Sequence, residues 1–318
     1  MGGSVSEQSV ALLFPGQGCQ HVGMGAQLYQ SSAAARDVYD TADRVLGFPL
    51  SELCFSGPDD ALTDTANAQP AIFVTSMALW HAMAPQIEDA KSRIGYVAGH
   101  SLGEFSALAA AGAIAFEDGV RLVRRRGEAM QRAGQEAPGG MAAILGLGDD
   151  VVRSIVGDVG GDLWVANLNC PGQVVIAGSR SALDTGMGLA KERGAKKAVP
   201  LAVSVACHTP YMAAAADELA EALEDTEFKR PWAAVVSNVE ARALYEPADI
   251  KTALLKQLTM PVRWSESVTE MIGSGVASFV EIGPKPIVTG FTRRIDRRVR
   301  SKSVADLKGI EDLDMSEL

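Results

Sequence analysis

The sequence predicts an α/β fold in which a mainly parallel sheet carries an inserted, smaller subdomain. Several apolar runs, such as residues 10–14 and 278–282, are continuous rather than alternating, which is typical of strands buried on both faces of a parallel sheet. Helical patterns separate most of these strands along the chain. Between residues 137 and 204 the predicted order is βαββαβ, the order of a ferredoxin-like unit.

The first part of the chain begins with a buried strand, residues 10–14. The strand ends in a glycine-rich loop, Pro15-Gly-Gln-Gly18, which lacks the Lys-Ser/Thr ending of a phosphate-binding loop. We then expect a mostly helical stretch with turns at 47–49, 57–58 and 69–70, a buried helix at 71–83, a strand at 93–99, and helices at 101–111 and 116–131. Residues 133–140 are rich in glycine and small residues and are interpreted as a linker.

The remaining chain supplies the inserted subdomain and then returns to the large unit. The predicted elements of the subdomain are strands at 141–147, 163–166, 174–177 and 198–203, with helices at 149–156 and 181–193. Beyond it we expect a helix ending at Leu223, a strand at 233–237, a helix through Leu254 and Gln257, and a strand at 278–282. The expected domains are 9–136 and 205–300 for the large subdomain, 137–204 for the small one, and 301–318 for a polar, peripheral tail.

Composition excludes several classes of function. The chain has 318 residues, of which 47% are hydrophobic, enough for a large buried core. Its 39 acidic and 29 basic residues give a formal net charge of −10, which argues against general binding to nucleic acid or to an anionic membrane surface. No apolar run approaches the roughly 20 residues that span a bilayer. Residues 1–8 lack a secretory signal pattern and are expected to form a flexible end.

The spacing of the cysteines indicates the cellular compartment of the protein. Cys19, Cys54, Cys170 and Cys207 lie far apart, with no Cys-x-x-Cys pair and no small-domain disulfide pattern. Four reduced thiols in a cytoplasmic protein are the simplest interpretation.

The pentapeptide Gly99-His-Ser-Leu-Gly103 lies where the strand at 93–99 meets the following helix. A serine on such a turn needs strained backbone and close approach from neighbouring segments, which side chains at positions 99 and 103 would obstruct. At the start of a helix, the Ser101 oxygen would also lie near unpaired backbone N–H groups that can hold an oxyanion. Ser101 is therefore a candidate nucleophile, although small-residue turns match this pattern by chance.

Six motifs in order resemble those of the malonyl-CoA:acyl carrier protein transacylase family over about residues 10–295. They are Phe14-Pro-Gly-Gln-Gly18, the run from Gly99 to Leu108, Arg126-Gly-x-x-Met-Gln131, Asn167-x-Asn-x-Pro-Gly-Gln-Val-Val175, His208-Thr-Pro-x-Met212 and Glu281-Ile-Gly-Pro284. The resemblance implies that the large subdomain is α/β-hydrolase-like, with a parallel sheet and the ferredoxin-like insertion.

The resemblance also implies a catalytic pair, Ser101 and His208. A serine hydroxyl needs a base to accept its proton during attack, and His208 follows a predicted strand in a loop, as a pocket residue would. No Asp or Glu is suitably placed for a hydrolase-type triad, so a Ser–His dyad is expected. By resemblance, a backbone carbonyl near Gln257 orients the imidazole.

Further roles follow for the residues around the pair. By resemblance, the backbone N–H groups of Gln17 and Leu102 form the oxyanion hole. Arg126 is expected to bind the free carboxylate that distinguishes malonyl from acetyl, since a guanidinium can make two parallel hydrogen bonds to a carboxylate. Helical spacing does not separate Arg126 from Arg125, but the family motif selects Arg126. His100, Asn167 and Gln257 are expected to shape the substrate pocket, while a merely structural role stays open for Asn167 and Gln257.

The expected function is transfer of a malonyl group from malonyl-CoA to the phosphopantetheine thiol of an acyl carrier protein through a malonyl-serine. No metal and no permanently bound cofactor are expected, and malonyl-CoA is a substrate. The alternatives are the same fold acting on a substituted malonyl-CoA, an acyl hydrolase, or a non-catalytic module that binds carrier proteins. The sequence does not separate a role in fatty-acid synthesis from one in polyketide synthesis.

A basic stretch near the C-terminus is a candidate docking surface for the acidic carrier protein, with a solubilising tail as the alternative. Its members are Arg293, Arg294, Arg297, Arg298, Arg300 and Lys302. Two residues depart from the family pattern. Cys19 stands where serine is usual, and Cys207 stands where serine or phenylalanine is common, which leaves the upper size limit of the acyl group open.

Overall fold

A computed structural model describes residues 9–203 and 205–314, which form two β-sheets surrounded by helices. The expected flexible end at residues 1–8 lies outside the described residues, as do Ser204 and the last four positions of the expected tail. In chain order the strands are β1 (Ser9–Phe14), β2 (Ile94–Gly99), β3 (Gly140–Leu145), β4 (Leu163–Cys170), β5 (Gln173–Gly178), β6 (Lys197–Pro200), β7 (Ala234–Val236), β8 (Ala243–Leu244), β9 (Val276–Ile282) and β10 (Arg300–Val304).

The helices pack on both sheets. They are α1 (Ala26–Ser31), α2 (Ala33–Leu46), α3 (Leu50–Ser56), α4 (Asp59–Thr63), α5 (Thr65–Ala82), α6 (Ala84–Ala90), α7 (Gly103–Ala110), α8 (Phe116–Glu136), α9 (Asp149–Val159), α10 (Arg180–Glu192), α11 (Ala213–Glu224), α12 (Pro247–Gln257), α13 (Trp264–Gly273), α14 (Val288–Ile295) and α15 (Leu307–Glu311).

The larger sheet is parallel except at one edge, as its continuous apolar strands predict. Its strand order is β10-β9-β1-β2-β7-β8, and only the β7–β8 pair in this sheet is antiparallel. Every residue of β1 is buried, because helices cover both faces of the central strands. The carboxyl ends of β1 and β2 lie side by side, with Phe14 paired to Gly99. This arrangement brings the glycine-rich loop next to the Ser101 turn.

The smaller sheet has the antiparallel order β4-β5-β3-β6, which confirms the ferredoxin-like unit. Helices α9 and α10 cover one face and share an apolar core with the strands. A backbone bridge joins this sheet to the large unit, since Leu168 donates to the carbonyl of Val262 and Val262 donates to the carbonyl of Ala166, both at 2.9 Å. The two sheets are therefore held together beside the carboxyl ends of β1 and β2.

The turn predicted at residues 69–70 is wrong, because α5 continues through Pro70. Proline has no N–H to donate to the carbonyl four residues earlier, which is that of Ala66. The side chain of Arg124 donates to the Ala66 carbonyl instead, at 3.0 Å. A long-range contact thus replaces the hydrogen bond that the proline removes.

The linker predicted at residues 133–140 is largely helical. Helix α8 extends to Glu136, and Ala133 and Gly134 are buried on its inner face. Small residues there permit close packing rather than flexibility, which composition alone does not distinguish.

The peripheral tail predicted from residue 301 also needs correction. Residues 300–304 form β10, which pairs in parallel with β9 at the edge of the large sheet. Val304 is buried, whereas Arg300 is exposed. A polar edge strand is a common protection against pairing with other chains, and its low apolar content gave the appearance of a tail.

Candidate active site

Ser101 lies in a left-handed turn between β2 and α7, with φ of 51°. That conformation is rare for a residue with a side chain and marks a strained position. Helix α7 begins at Gly103, so the helix starts two residues later than predicted. Ser101 lines a cavity at this turn, and its hydroxyl lies next to His208.

The two glycines of the turn are required by close packing, as predicted. A Cβ atom on Gly99 would lie 1.8 Å from the carbonyl of Gly103, and one on Gly103 would lie 2.2 Å from the carbonyl of Phe14. Both distances are far below van der Waals contact, so only glycine fits at either position. The turn is therefore packed directly against β1.

Ser101 and His208 come together although 107 residues separate them. The Ser101 Oγ lies 2.8 Å from the His208 Nε2, and the His208 Nδ1 lies 2.9 Å from the backbone carbonyl of Gln257. Because a carbonyl only accepts hydrogen bonds, Nδ1 carries the proton and Nε2 is free to accept the serine proton. Burial, with the nearby charge of Arg126, lowers the pKa of His208 to about 3. The imidazole is therefore neutral at physiological pH.

Arg126 lies at the same point, buried inside the protein. Its Nη1 donates to Gln69 Oε1 at 2.7 Å, and its Nη2 donates to Ser101 Oγ at 3.0 Å and to Gln257 Oε1 at 3.1 Å. Its Nε is buried and has no hydrogen-bond partner among the described residues. Burial lowers the pKa of Arg126 to about 10, so it remains a cation at neutral pH. The neighbouring Arg125 is exposed, which separates the two arginines that helical spacing could not.

A cavity of about 330 Å³ adjoins these residues. Gln17, His100, Leu102 and Asn167 line it together with Ser101, Arg126 and His208. Gln257 is not among the lining residues; it lies behind Arg126 and holds that side chain. The His100 Nε2 lies 2.8 Å from Asn169 Oδ1, so the side chain of Asn169 engages this ring nitrogen.

The backbone N–H groups of Gln17 and Leu102 are available for a ligand. Neither donates a hydrogen bond within the part of the chain that the structure describes. Both residues line the cavity beside Ser101. Unpaired N–H groups at the beginning of a helix are suited to binding an oxyanion.

Two residues at the turn are missed by the sequence analysis. Asn238 follows β7 and contacts the carbonyl of Gly99 and the backbone N–H of Ser101. Glu104 is buried on α7, where it accepts hydrogen bonds from Asn238 and Gln257. A polar residue at the carboxyl end of a parallel strand is a signal that could have indicated Asn238. An acid within the apolar sequence of α7 could likewise have indicated Glu104.

Several members of the basic stretch make contacts within the protein. Arg293 donates to the carbonyl of Ser301, Arg294 to Gln173 and to the carbonyl of Pro171, and Arg298 pairs with Asp296. Arg297 is exposed. The stretch is therefore part of the folded surface at the end of α14 and the edge of the large sheet.

Further observations concern metals, membranes and thiols. Over residues 9–203 and 205–314, no group of three or more His, Cys, Asp or Glu side chains could hold a metal ion. No helix in the same ranges is long and apolar enough to cross a membrane.

The four cysteines are free, and burial raises the pKa of Cys207 to about 11, so its thiol is protonated beside the cavity.

Comparison with known proteins identifies the family. Residues 11–313 match the acyl transferase domain. The chain is 43% identical over 305 residues to the malonyl CoA-acyl carrier protein transacylase of Bacillus subtilis, covering 95% of each chain, and 42% identical over 287 residues to that of Escherichia coli, covering 90% of this chain and 92% of the other.

Solved structures agree with these relatives. The acyl-carrier-protein-S-malonyltransferase of Bartonella henselae superposes with a TM-score of 0.92 at 39% identity, covering 96% of this chain and 98% of the other. A malonyl-transacylase in complex with its type II PKS acyl-carrier protein superposes with a TM-score of 0.90 at 39% identity, with the same coverage. The chain therefore belongs to the malonyl-CoA:acyl carrier protein transacylase family of acyl transferases.

Proposed function

We propose that this protein transfers a malonyl group from malonyl-CoA to the phosphopantetheine thiol of an acyl carrier protein, with Ser101 as the temporary carrier. The observation that carries the proposal is that one atom, Ser101 Oγ, is within hydrogen-bond distance of both His208 Nε2 and Arg126 Nη2. A base and a carboxylate-binding cation thus converge on one nucleophile. The names of the relatives support the same reaction.

In the first half-reaction Ser101 Oγ attacks the thioester carbon of malonyl-CoA while His208 Nε2 accepts the serine proton. The tetrahedral intermediate then collapses, the carbon–sulfur bond breaks, and His208 returns the proton to the CoA thiolate. The carbonyl of Gln257 keeps Nδ1 protonated and supports the positive charge that forms on the ring. The products are malonyl-Ser101 and free CoA.

The oxyanion of the tetrahedral intermediate would lie between the backbone N–H groups of Gln17 and Leu102. Both line the cavity with Ser101, and neither donates to another of the described residues, so no hydrogen bond among those residues has to break when the charge develops. Loss of one such donor costs about 10²–10³-fold in rate in other acyl-transfer enzymes.

Arg126 would select the acyl group. Its unpaired Nε and its Nη2 can turn to the malonyl carboxylate, and a charge-assisted pair of this kind is stronger than neutral hydrogen bonds. The pKa of His208 is lowered first by burial and then by the Arg126 charge, and a bound carboxylate offsets the second of these. His208 should therefore be a stronger base with a carboxylated substrate than with acetyl-CoA.

In the second half-reaction the carrier's phosphopantetheine thiol gives its proton to His208 and attacks malonyl-Ser101. The ester bond breaks, and the proton passes back to Ser101 Oγ. No cofactor is consumed, because the serine, the imidazole and the guanidinium supply all the chemistry. His100 and Asn167, which line the cavity, would shape the space for the acyl chain.

We also propose roles for the two subdomains, a docking surface for the carrier protein and a cellular compartment. The large subdomain, residues 9–136 and 205–300, would carry the catalytic pair, and the small one, residues 137–204, would form the second wall of the cleft; the two separate sheets support this division. The basic stretch would receive the acidic carrier protein, with exposed Arg297 as one contact. Four free cysteines suit a cytoplasmic enzyme.

The test is direct. Purified protein incubated with malonyl-CoA should gain the mass of one malonyl group on the peptide that contains Ser101, and Ser101→Ala should gain none. Addition of a holo-carrier protein should move that mass to the carrier. Ser106→Ala is the matched control, because Ser106 Oγ is buried on α7 without a hydrogen-bond partner among the described residues.

Two results would refute the transfer. Release of free malonate without carrier acylation would indicate a hydrolase. A stable complex with the carrier and no acyl-enzyme would indicate a binding module.

A further inference from the structure

Glu104 is a buried acid next to the nucleophile that the proposed reaction does not use. It lies on α7, three residues after Ser101, and only 3% of its surface is exposed. Its Oε1 accepts the backbone N–H of Asn238 at 3.3 Å, and its Oε2 accepts Gln257 Nε2 at 2.6 Å. Burying a carboxyl group is costly, so its presence in this position calls for a specific role.

Gln257 connects Glu104 to Arg126. Its Nε2 donates to Glu104 and also to the carbonyl of Ser101 at 3.0 Å, while its Oε1 accepts from Arg126 Nη2 at 3.1 Å. An amide has one donor end and one acceptor end, so fixing the donor end fixes the acceptor end as well. The carboxyl of Glu104, in the shorter of the two hydrogen bonds, and the carbonyl of Ser101 therefore hold the Gln257 side chain so that it presents an acceptor to the guanidinium.

The indirect connection keeps Arg126 open to substrate. Among the described residues Arg126 makes no ion pair with a carboxylate; its partners are Gln69, Ser101 and Gln257. A carboxylate in direct contact would occupy the N–H groups that a substrate carboxylate needs. A neutral amide holds the guanidinium in place without neutralising it, and the negative charge lies one residue farther away.

We propose that Glu104 is a positioning residue that acts through Gln257 to hold the Arg126 guanidinium in the orientation that binds the acyl carboxylate. The proposal rests on the proposed malonyl transfer, because it assigns to Glu104 a part in acyl-group selection. Glu104 does not touch the substrate. Its contribution should therefore appear in the preference for malonyl over acetyl.

The experiment compares Glu104→Gln with the wild type, using malonyl and acetyl thioesters. The variant keeps the size of the side chain but has one acceptor oxygen for two donors, Gln257 Nε2 and the Asn238 N–H. It also loses the negative charge that strengthens the hydrogen bond from Gln257, so the Gln257 amide is held more weakly. We expect kcat/KM for the malonyl thioester to fall about 10–100-fold, the range found for residues that orient a binding group. The value for the acetyl thioester should change little. Ser106→Ala, on the same helix, should keep the wild-type ratio.

Two further variants make the result specific. Glu104→Gln and Gln257→Ala should each lower the malonyl-to-acetyl ratio, and the double variant should lose no more than the larger single loss, since both break one connection. If Glu104→Gln fails to fold, Glu104→Asp retains the charge, withdraws it from Gln257, and should lower the same ratio.

The outcomes separate the two proposals. If the wild type forms malonyl-Ser101 while Glu104→Gln keeps its malonyl-to-acetyl ratio, or loses both activities in proportion, the role of Glu104 is refuted. If the wild type forms no malonyl-Ser101 at all, the proposed function itself is refuted.

Discussion

The side chain of Asn238 bridges the backbone on either side of His100, immediately before Ser101. Its Oδ1 accepts the backbone N–H of Ser101, and its Nδ2 donates to the carbonyl of Gly99, both at 2.6 Å. Asn238 lies 137 residues from Ser101 along the chain and is 99% buried. Strained backbone persists where surrounding contacts determine it fully, and this side chain fixes the backbone that leads directly into the φ 51° residue.

Replacing Asn238 with leucine should therefore damage both stability and rate. Leucine has a similar volume but makes neither hydrogen bond, and each buried group left unpaired costs about 1–3 kcal/mol. Relaxation of the turn by about 1 Å would lower the rate of malonyl-Ser101 formation on the order of 10²-fold. Urea unfolding and rapid-quench acylation measure the two effects.

Asn67→Leu is the control for Asn238→Leu. Asn67 also makes two hydrogen bonds, to the carbonyl of Ala61 and with Arg124, but away from the turn. It should lose stability and keep the acylation rate of the folded protein. Equal loss of rate in both variants would show that the turn does not depend on Asn238.

Arg126→Ala should reduce the preference of the enzyme for malonyl-CoA over acetyl-CoA. Truncating one partner of a buried charged pair costs about 2–5 kcal/mol, so kcat/KM for malonyl-CoA should fall roughly 30- to 5,000-fold. Removing the cation also raises the pKa of His208, which should favour transfer of uncharged acyl groups. Steady-state rates with malonyl-CoA and acetyl-CoA, compared with exposed Arg125→Ala, test this. An unchanged malonyl-to-acetyl ratio would contradict it.

Hydrophobic periodicity and composition predict most of the fold, but they predict less of the active site. Continuous apolar strands and the βαββαβ order predicted both sheets, because those patterns follow from burial. They failed where a distant side chain replaces a local interaction, as Arg124 does for Pro70. The site depends on such distant contacts. Motifs suggested Ser101, His208 and Arg126, whereas the position of Asn238 after a parallel strand does not reveal that its side chain meets the Ser101 turn.

Gly99→Ala should prevent the turn from forming. The added methyl would overlap the carbonyl of Gly103 at 1.8 Å, and because that atom is backbone, the turn or β1 must move. We expect a loss of about 3 kcal/mol or more in the free energy of unfolding. Gly188→Ala in α10 is the opposite case, since outside the helix's own backbone no atom of the described residues lies within 4 Å of the added methyl. This variant should stabilise the protein by about 0.5–1 kcal/mol. Thermal unfolding of both variants measures the two effects. A Gly99→Ala variant as stable as the wild type would show that the turn can accommodate the added methyl group.

The pH dependence of malonyl selection should report Glu104 rather than His208. Burial raises the pKa of Glu104 to about 7. The hydrogen bonds from Gln257 and Asn238 and the charge of Arg126 on α8 act in the opposite direction and lower this pKa. Above this pH the ionised carboxylate accepts both hydrogen bonds; as the pH falls through 7, protonation turns one oxygen into a donor and weakens the hold on Gln257. The pKa of His208 is lowered to about 3 and that of Arg126 is about 10, so neither changes charge between pH 5.5 and 8.5.

We therefore expect kcat/KM for a short malonyl thioester, which lacks the phosphates of CoA, to decrease as the pH falls below about 7. In Glu104→Gln position 104 has no group that titrates in this range, so the profile should be low and flat. A variant that kept the wild-type decrease would assign it to another group. A wild-type profile that was flat to pH 5.5 would show that Glu104 stays ionised and that its hydrogen bonds outweigh the cost of burial.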